Sequence, residues 1–150
     1  MNLATQSLLT LYNRDLNKLA EEIKLYPDEA MIWKVVPGIT NSAGNLCLHL
    51  CGNLQHFIGT VLGNTGYVRN REAEFSSKHI PREKLLEEIE KTKAAIAKVV
   101  PDLPHEQLHA PYPVEVFGHP MATVFFLMHL ATHLGYHLGQ VNYHRRMIAG

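Results

Sequence analysis

Apolar residues recur at three- and four-residue steps over four stretches of the chain, separated by proline, glycine and polar runs. In the first stretch, from about Leu3 to Tyr26, Leu8, Tyr12, Leu16, Leu19, Ile23 and Tyr26 form one stripe, with Arg14, Asp15, Lys18 and Glu21 off it. That is the period of an amphipathic helix, ended by Pro27. Trp33 and VVPGIT make a connector. Asn41 or Ser42 then caps a second helix, which runs to about Leu62, where GNTG stops it. A polar loop through Arg69, Arg71, Glu72 and Glu74 follows. Pro81 suits the first turn of a third helix, striped by Leu85, Ile89, Ile96 and Val99 and otherwise covered by Lys and Glu, as befits a solvated outer helix. Four prolines between 101 and 113 predict an irregular stretch, with VEVF as a short extended piece. The last helix starts near Met121 and runs to about Ile148, roughly 40 Å. Four long helices predict an all-α, single-domain four-helix bundle over residues 1–150.

Composition narrows the function. Of the 150 residues 46% are apolar, enough for one real core and too few for two ordinary domains. Lys+Arg and Asp+Glu are each 14, a balance that argues against nucleic acid or an anionic membrane as partner. Two cysteines exclude a disulfide framework and fit a reducing cytoplasm. The N-terminal stretch has no basic region and meets Arg14 and Asp15 too early for a signal peptide.

Charge is also unevenly placed. No Asp, Glu, Lys or Arg lies between Lys34 and Arg69, nor between Glu115 and Arg145. A surface helix carries charge on its wet face, so the second and last helices read as enclosed. Three histidines and a glutamine inside VFFLMHLATHLGYHLGQV argue against a membrane span.

The ten histidines are the informative residues. At about 100° per residue, His129, His137, Gln140 and His144 all fall within about 40° of His133 on the last helix. His133 and His137 are about 6 Å apart along the axis, the i, i+4 step at which two imidazoles reach one ion, whereas His129 and His137 are about 12 Å apart. A metal site here therefore takes two neighbours and a third ligand from another helix. On the second helix Asn45, His49, Asn53 and His56 share a polar stripe, with His56 two turns from His49 and too far to share its ion. Cys47 and Cys51 point about 160° from His49 and read as small buried side chains on the back of that helix. An apolar back suggests a partner surface, and so a homodimer. His79, His105, His109 and His119 read as exposed loop residues, with His119 a candidate cap for the last helix. Arg69 and Arg71 read as surface charges with an optional functional role. A packed, metal-free reading of the histidine stripes stays open: for any single histidine, hydrogen bonding in the core is the commoner fate. A non-haem iron oxygenase is disfavoured, since neither uncharged helix carries a carboxylate. The Glu-x-x-His motifs of a di-iron bundle are missing from the same two helices.

HLATHLGYHLGQ resembles the closing motif of the DinB/YfiT-like superfamily, where a His-xxx-His pair precedes a Gly-Gln step. NSAGNLCLHLCGNLQHFIG resembles that family's second-helix motif, and Trp33 fits as well. NSAGNL with RNREAEF resembles a subgroup mostly without an assigned reaction. The resemblance implies a four-helix bundle whose divalent metal, zinc, nickel or manganese, is held by His49, His133 and His137, with His129 replacing His137 in a second assignment. It implies Gln140 behind His137, Asn45 near the site, and Arg71, less surely Arg69, holding an acidic part of a substrate. The activity implied is transfer of a low-molecular-weight thiol, such as bacillithiol or mycothiol, to an electrophile, or a thiol-dependent isomerisation; the alternative is a metal- or ligand-binding helical bundle without catalytic turnover. The sequence offers no general base, and the catalytic residues stay unassigned.

Overall fold

The computed structural model describes residues 1–149. Its helices are α1 (Leu3–Leu25), α2 (Glu29–Ile32), α3 (Ala43–Leu54), α4 (Val61–Gly63), α5 (Arg71–Ser76), α6 (Arg82–Val99), α7 (His105–His109) and α8 (Thr123–Ile148). A π-helical turn over Gln55–Thr60 joins α3 to α4, so the second rod of the bundle is continuous, as the apolar period required. The π turn leaves a backbone carbonyl that a side chain takes up, the Tyr112 hydroxyl donating to Phe57 at 2.6 Å, and its last residue ties down the following loop, Thr60 Oγ1 donating to the Tyr67 carbonyl at 2.6 Å. With α1, α6 and α8 this rod makes the expected bundle.

Local chemistry sets the helix starts. Asn2, Ser42 and Asn70 each accept a hydrogen bond from a backbone N–H three residues on, at 2.9, 3.1 and 3.1 Å, the arrangement of an N-cap. The third of these builds α5 where the sequence reading placed a polar loop. α8 begins differently. No side chain caps it; His119 is exposed, its Nδ1 3.1 Å from the Pro120 carbonyl. The Thr123 N–H instead donates to the Ala110 carbonyl at 2.9 Å, beside an isolated β-bridge between Pro111 and Ala122. VEVF is not extended structure. Val114, Val116 and Phe117 are exposed, and nothing pairs with their backbone among the described residues. His105 and His109 are exposed as expected but lie on α7.

The core is the predicted stripe of α1, with Tyr12, Leu16, Leu19 and Ile23 fully buried among Ile89 and Ile96 of α6, Leu50 and Leu54 of α3, and Leu127 and Leu134 of α8. Three polar ties fix α8 against α1. The Tyr12 hydroxyl donates to the Leu127 carbonyl at 2.5 Å. Glu22 accepts from Asn142 at 2.7 Å and from Arg145. His144, the last residue of the histidine stripe, is buried and bridges two elements: its Nε2 faces the Lys34 carbonyl at 2.8 Å and its Nδ1 the Tyr26 hydroxyl at 2.6 Å. A carbonyl only accepts, so Nε2 carries the proton and the Tyr26 hydroxyl donates to Nδ1.

Cys47 and Cys51 are free and fully enclosed on the α6 side of α3. A hydrogen bond with Cys51, together with burial, pushes the Cys47 thiol up. The apolar back of α3 that suggested a second copy is thus covered within the chain. The outer face of α8 is uncovered, with Phe125, Met128, Tyr136, Tyr143 and Met147 exposed. Among the described residues no helix is long and apolar enough to cross a membrane.

Candidate metal centre

α3 and α8 bring His49, His133 and His137 together. Each offers one ring nitrogen, and these nitrogens all lie within 4.8 Å of one another. His49 Nε2 and His133 Nε2 are 3.3 Å apart. The ring centroids of His133 and His137 are separated by 4.6 Å, and those of His49 and His137 by 5.4 Å. One neighbouring pair on α8 plus one histidine from α3 is the combination that the axial spacings demanded. His129 stands apart, its ring stacked toward His133 at 6.3 Å and packed edge-on to Phe117 at 4.8 Å.

The partners of the outward nitrogens explain the inward aim of two of the three rings, His49 and His137. His49 Nδ1 lies 3.1 Å from Glu74 Oε1. Glu74 in turn accepts from Arg69, whose Nε and Nη2 are each 2.9 Å from its two oxygens. Burial pushes the Glu74 carboxyl up, but its hydrogen bonds from His49 and Arg69, with the Arg69 charge, outweigh that and hold it below the usual range. An ionised Glu74 makes His49 Nδ1 the protonated nitrogen, which leaves Nε2 as a lone pair facing the cluster. Arg69 Nη2, 3.4 Å from the same Nδ1, is a donor and does not compete for that proton. On α8, Gln140 Oε1 lies 2.7 Å from His137 Nδ1 and fixes that ring in the same way. His133 Nδ1 is buried and has no partner among the described residues. Burial, then the neighbouring His137, His49, His129 and Arg69, depress the His133 imidazole from 6.5 to about 4. Burial also lowers His137, helped by His49 and opposed by the Gln140 hydrogen bond. The two α8 imidazoles therefore stand neutral at pH 7, with lone pairs free of protons. This donor set fits a divalent transition metal: three imidazole nitrogens, with two of the rings anchored from behind.

Glu74 is the residue that sequence reasoning missed. It sits in a seat that the backbone of α3 makes for it: a Cβ at Gly52 would lie 1.9 Å from Glu74 Oε2. Asn45, expected beside the ligands, works one step back. Its Nδ2 donates to the carbonyls of Glu74 and Ser77 at 2.9 and 2.8 Å, and Ser42 Oγ donates to its Oδ1 at 2.7 Å, which pins α5 onto α3. Arg69, read as a surface cation, is nearly buried and committed to Glu74. Arg71 is exposed over the Phe75 ring at 5.2 Å, and that ring packs 4.8 Å from His49, so Arg71 stands at the rim with its donors toward solvent. A signal for Glu74 was present: Asn70 followed by Glu72 and Glu74 is a helix start, and Gly52 lies one turn from His49. One further group is unaccounted for within the protein. Asn53 Oδ1, one turn from His49 along α3, is buried without a partner among the described residues.

Comparison with known proteins agrees with this architecture. A crystal structure of a DinB-like protein from Bacillus cereus superposes with a TM-score of 0.72 over 97% of this chain and 95% of that one, at 18% identity. At that identity the likeness establishes a shared DinB-like fold. No curated protein matches. The family model described as protein of unknown function (DUF1572) matches residues 6–150, and the chain belongs to that family.

Proposed function

We propose that His49, His133 and His137 hold a divalent metal and that the protein is a metal-dependent transferase, activating a low-molecular-weight thiol for attack on an electrophile. The observation that carries the reading is the convergence of three imidazole nitrogens whose outer partners, Glu74 and Gln140, set the tautomer of two of them. Three neutral protein ligands leave coordination positions open, which distinguishes a working site from a closed structural one. When bound there, a dication supplies charge that favours the thiolate form of a coordinated thiol at neutral pH. The protein's share is to hold that site rigid, to keep imidazoles neutral by burial, and to offer Arg71 at the rim to an acidic group of the thiol. In the transfer the thiol loses its proton to solvent, a bond forms between sulfur and the electrophilic carbon, and the leaving group departs with its electron pair.

A second reading, metal binding without turnover, draws on the commitment of Glu74: the carboxylate at the site is tied to Arg69 and His49 and is not free to move protons. One experiment separates the two. Untagged protein is analysed for metal beside the His133→Ala, His137→Ala double variant, and the loaded protein is assayed for loss of free thiol in the presence of an electrophile. Near-stoichiometric metal lost in a folded variant, together with metal-dependent thiol consumption, is the expected result. Metal without thiol loss for any thiol–electrophile pair selects the second reading. No metal in either protein after addition of zinc, nickel or manganese overturns both.

A further inference from the structure

Beside the metal centre a cleft of about 460 Å³ opens between the 38–41 connector and the C-terminal half of α8. That volume is in the range of small-molecule sites. His137 and Gln140, the anchored pair of the centre, also line this cleft. The rest of its lining is apolar or uncharged polar, Leu46, Tyr136, Tyr143, Thr40 and Asn41 among it, apart from His144, which is already engaged by Tyr26 and Lys34. Among the described residues no Asp, Glu, Lys or Arg lines it. The grooves between α1 and α8 and beside Pro27 contrast sharply, each lined by several charged residues.

We infer that this cleft binds an uncharged aromatic or alicyclic molecule and presents it to the neighbouring metal centre; in its role the inference rests on the transferase reading, as the site of the electrophile. Aromatic walls favour a flat apolar body, and the hydroxyls and amides give it hydrogen bonds without a counter-charge. A carboxylate entering the same space would lose hydration against no cation in the wall. Arg146 stacks on the Tyr143 ring at 5.3 Å and is not part of the lining. The division of labour is then spatial: an acidic thiol at the Arg71 rim on the α5 side, a neutral partner on the connector side.

The test is binding, read without turnover, so that it stands apart from the transferase assay. Isotope-labelled protein, metal-free and zinc-loaded in parallel, is titrated with 2-naphthol and with its anionic counterpart 2-naphthoate while amide shifts are followed. The expected result is saturable shifts at Thr40, Leu46, Tyr136 and Gln140 with 2-naphthol, at least tenfold tighter than with 2-naphthoate. Thr40→Lys, at an exposed position, reverses that preference, and Tyr143→Ala, also exposed, weakens 2-naphthol at least fivefold. Equal affinity for the two probes, shifts confined to other residues, or naphthoate binding that Arg146→Gln abolishes would overturn the inference. So would a dimer in sedimentation that covers these residues and is dissolved by Met147→Glu, since the occupant is then a second copy. A protein that binds 2-naphthol as described but carries no metal keeps the cleft and loses the transferase reading.

Discussion

Glu74 and Gly52 act as one device although 22 positions separate them. The carboxylate that orients His49 fits only because α3 presents no side chain at position 52. Gly52→Ala places a methyl group where Glu74 Oε2 now lies. The carboxylate is the far end of a flexible side chain, so it moves aside with the helix backbone in place; the anchor is lost together with the buried bonds to Arg69 and His49. Partners behind metal-bound histidines typically contribute about 10–100-fold in affinity, and that loss is expected for both Gly52→Ala and Glu74→Gln. Competition with a chelator of known strength, beside circular dichroism to show retained helix, checks it; unchanged affinity in both variants would remove Glu74 from the account. His133 makes a separate prediction. Its imidazole is held at about 4 in the fold against an ordinary 6.5. The unfolded chain thus takes up a proton first as pH falls. The contribution is fully present above about 6.5, is lost progressively down to about 4, and is gone below. Metal-free protein should show declining stability over that window in urea titrations at successive pH values, and His133→Asn should flatten the decline.

At the scale of the element, α8 divides its histidines between two jobs along one face. His133 and His137 turn to the centre, whereas His144 joins the end of α1 to the connector through Tyr26 and Lys34. His144→Ala leaves a buried hydroxyl and a carbonyl without partners and a void between the elements. A loss of about 2–4 kcal/mol is expected, with metal stoichiometry retained in the protein that remains folded. His137→Ala should do the reverse, since its half-buried ring gives up one exposed hydrogen bond to Gln140. Denaturant midpoints and metal analysis on the two variants, side by side, decide the assignment. The periodicity of α8 put all four histidines on one face and could not separate these jobs, because what distinguishes them is the neighbour each one meets. The short helix α5 escaped for a related reason: six polar-rich residues carry too little apolar period to stand out, and α5 holds through its Asn70 cap and the Asn45 bonds from α3.

For the whole molecule, the proposed metal, held by residues of α3 and α8, would tie together segments 84 residues apart and would bind the folded chain in preference to the unfolded one. Such linkage contributes about 2.7 kcal/mol when free metal exceeds the dissociation constant a hundredfold. In a chain of 150 residues that is a rise of roughly 5–10 °C in melting temperature. Calorimetry on protein with added metal and after chelation should show the shift, and the His133→Ala, His137→Ala variant should show none.

What the sequence determined by itself follows from local periodicity. The four rods, their apolar stripes, the enclosure of the two uncharged helices and the pairing of His133 with His137 all depend on residues a turn or two apart, where helix geometry fixes the relative positions. The choice of His49 as a candidate also lay in its own stripe and in the family motif around it. Tertiary structure decided the rest: that Glu74 returns behind His49, that Arg69 is spent on that carboxylate, that Asn45 docks a helix rather than touching the cluster, and that His144 is a tie in the core. Each of these depends on partners tens of residues away, brought together by packing between rods. Spacing along one helix carries no information about what the next helix brings to meet it.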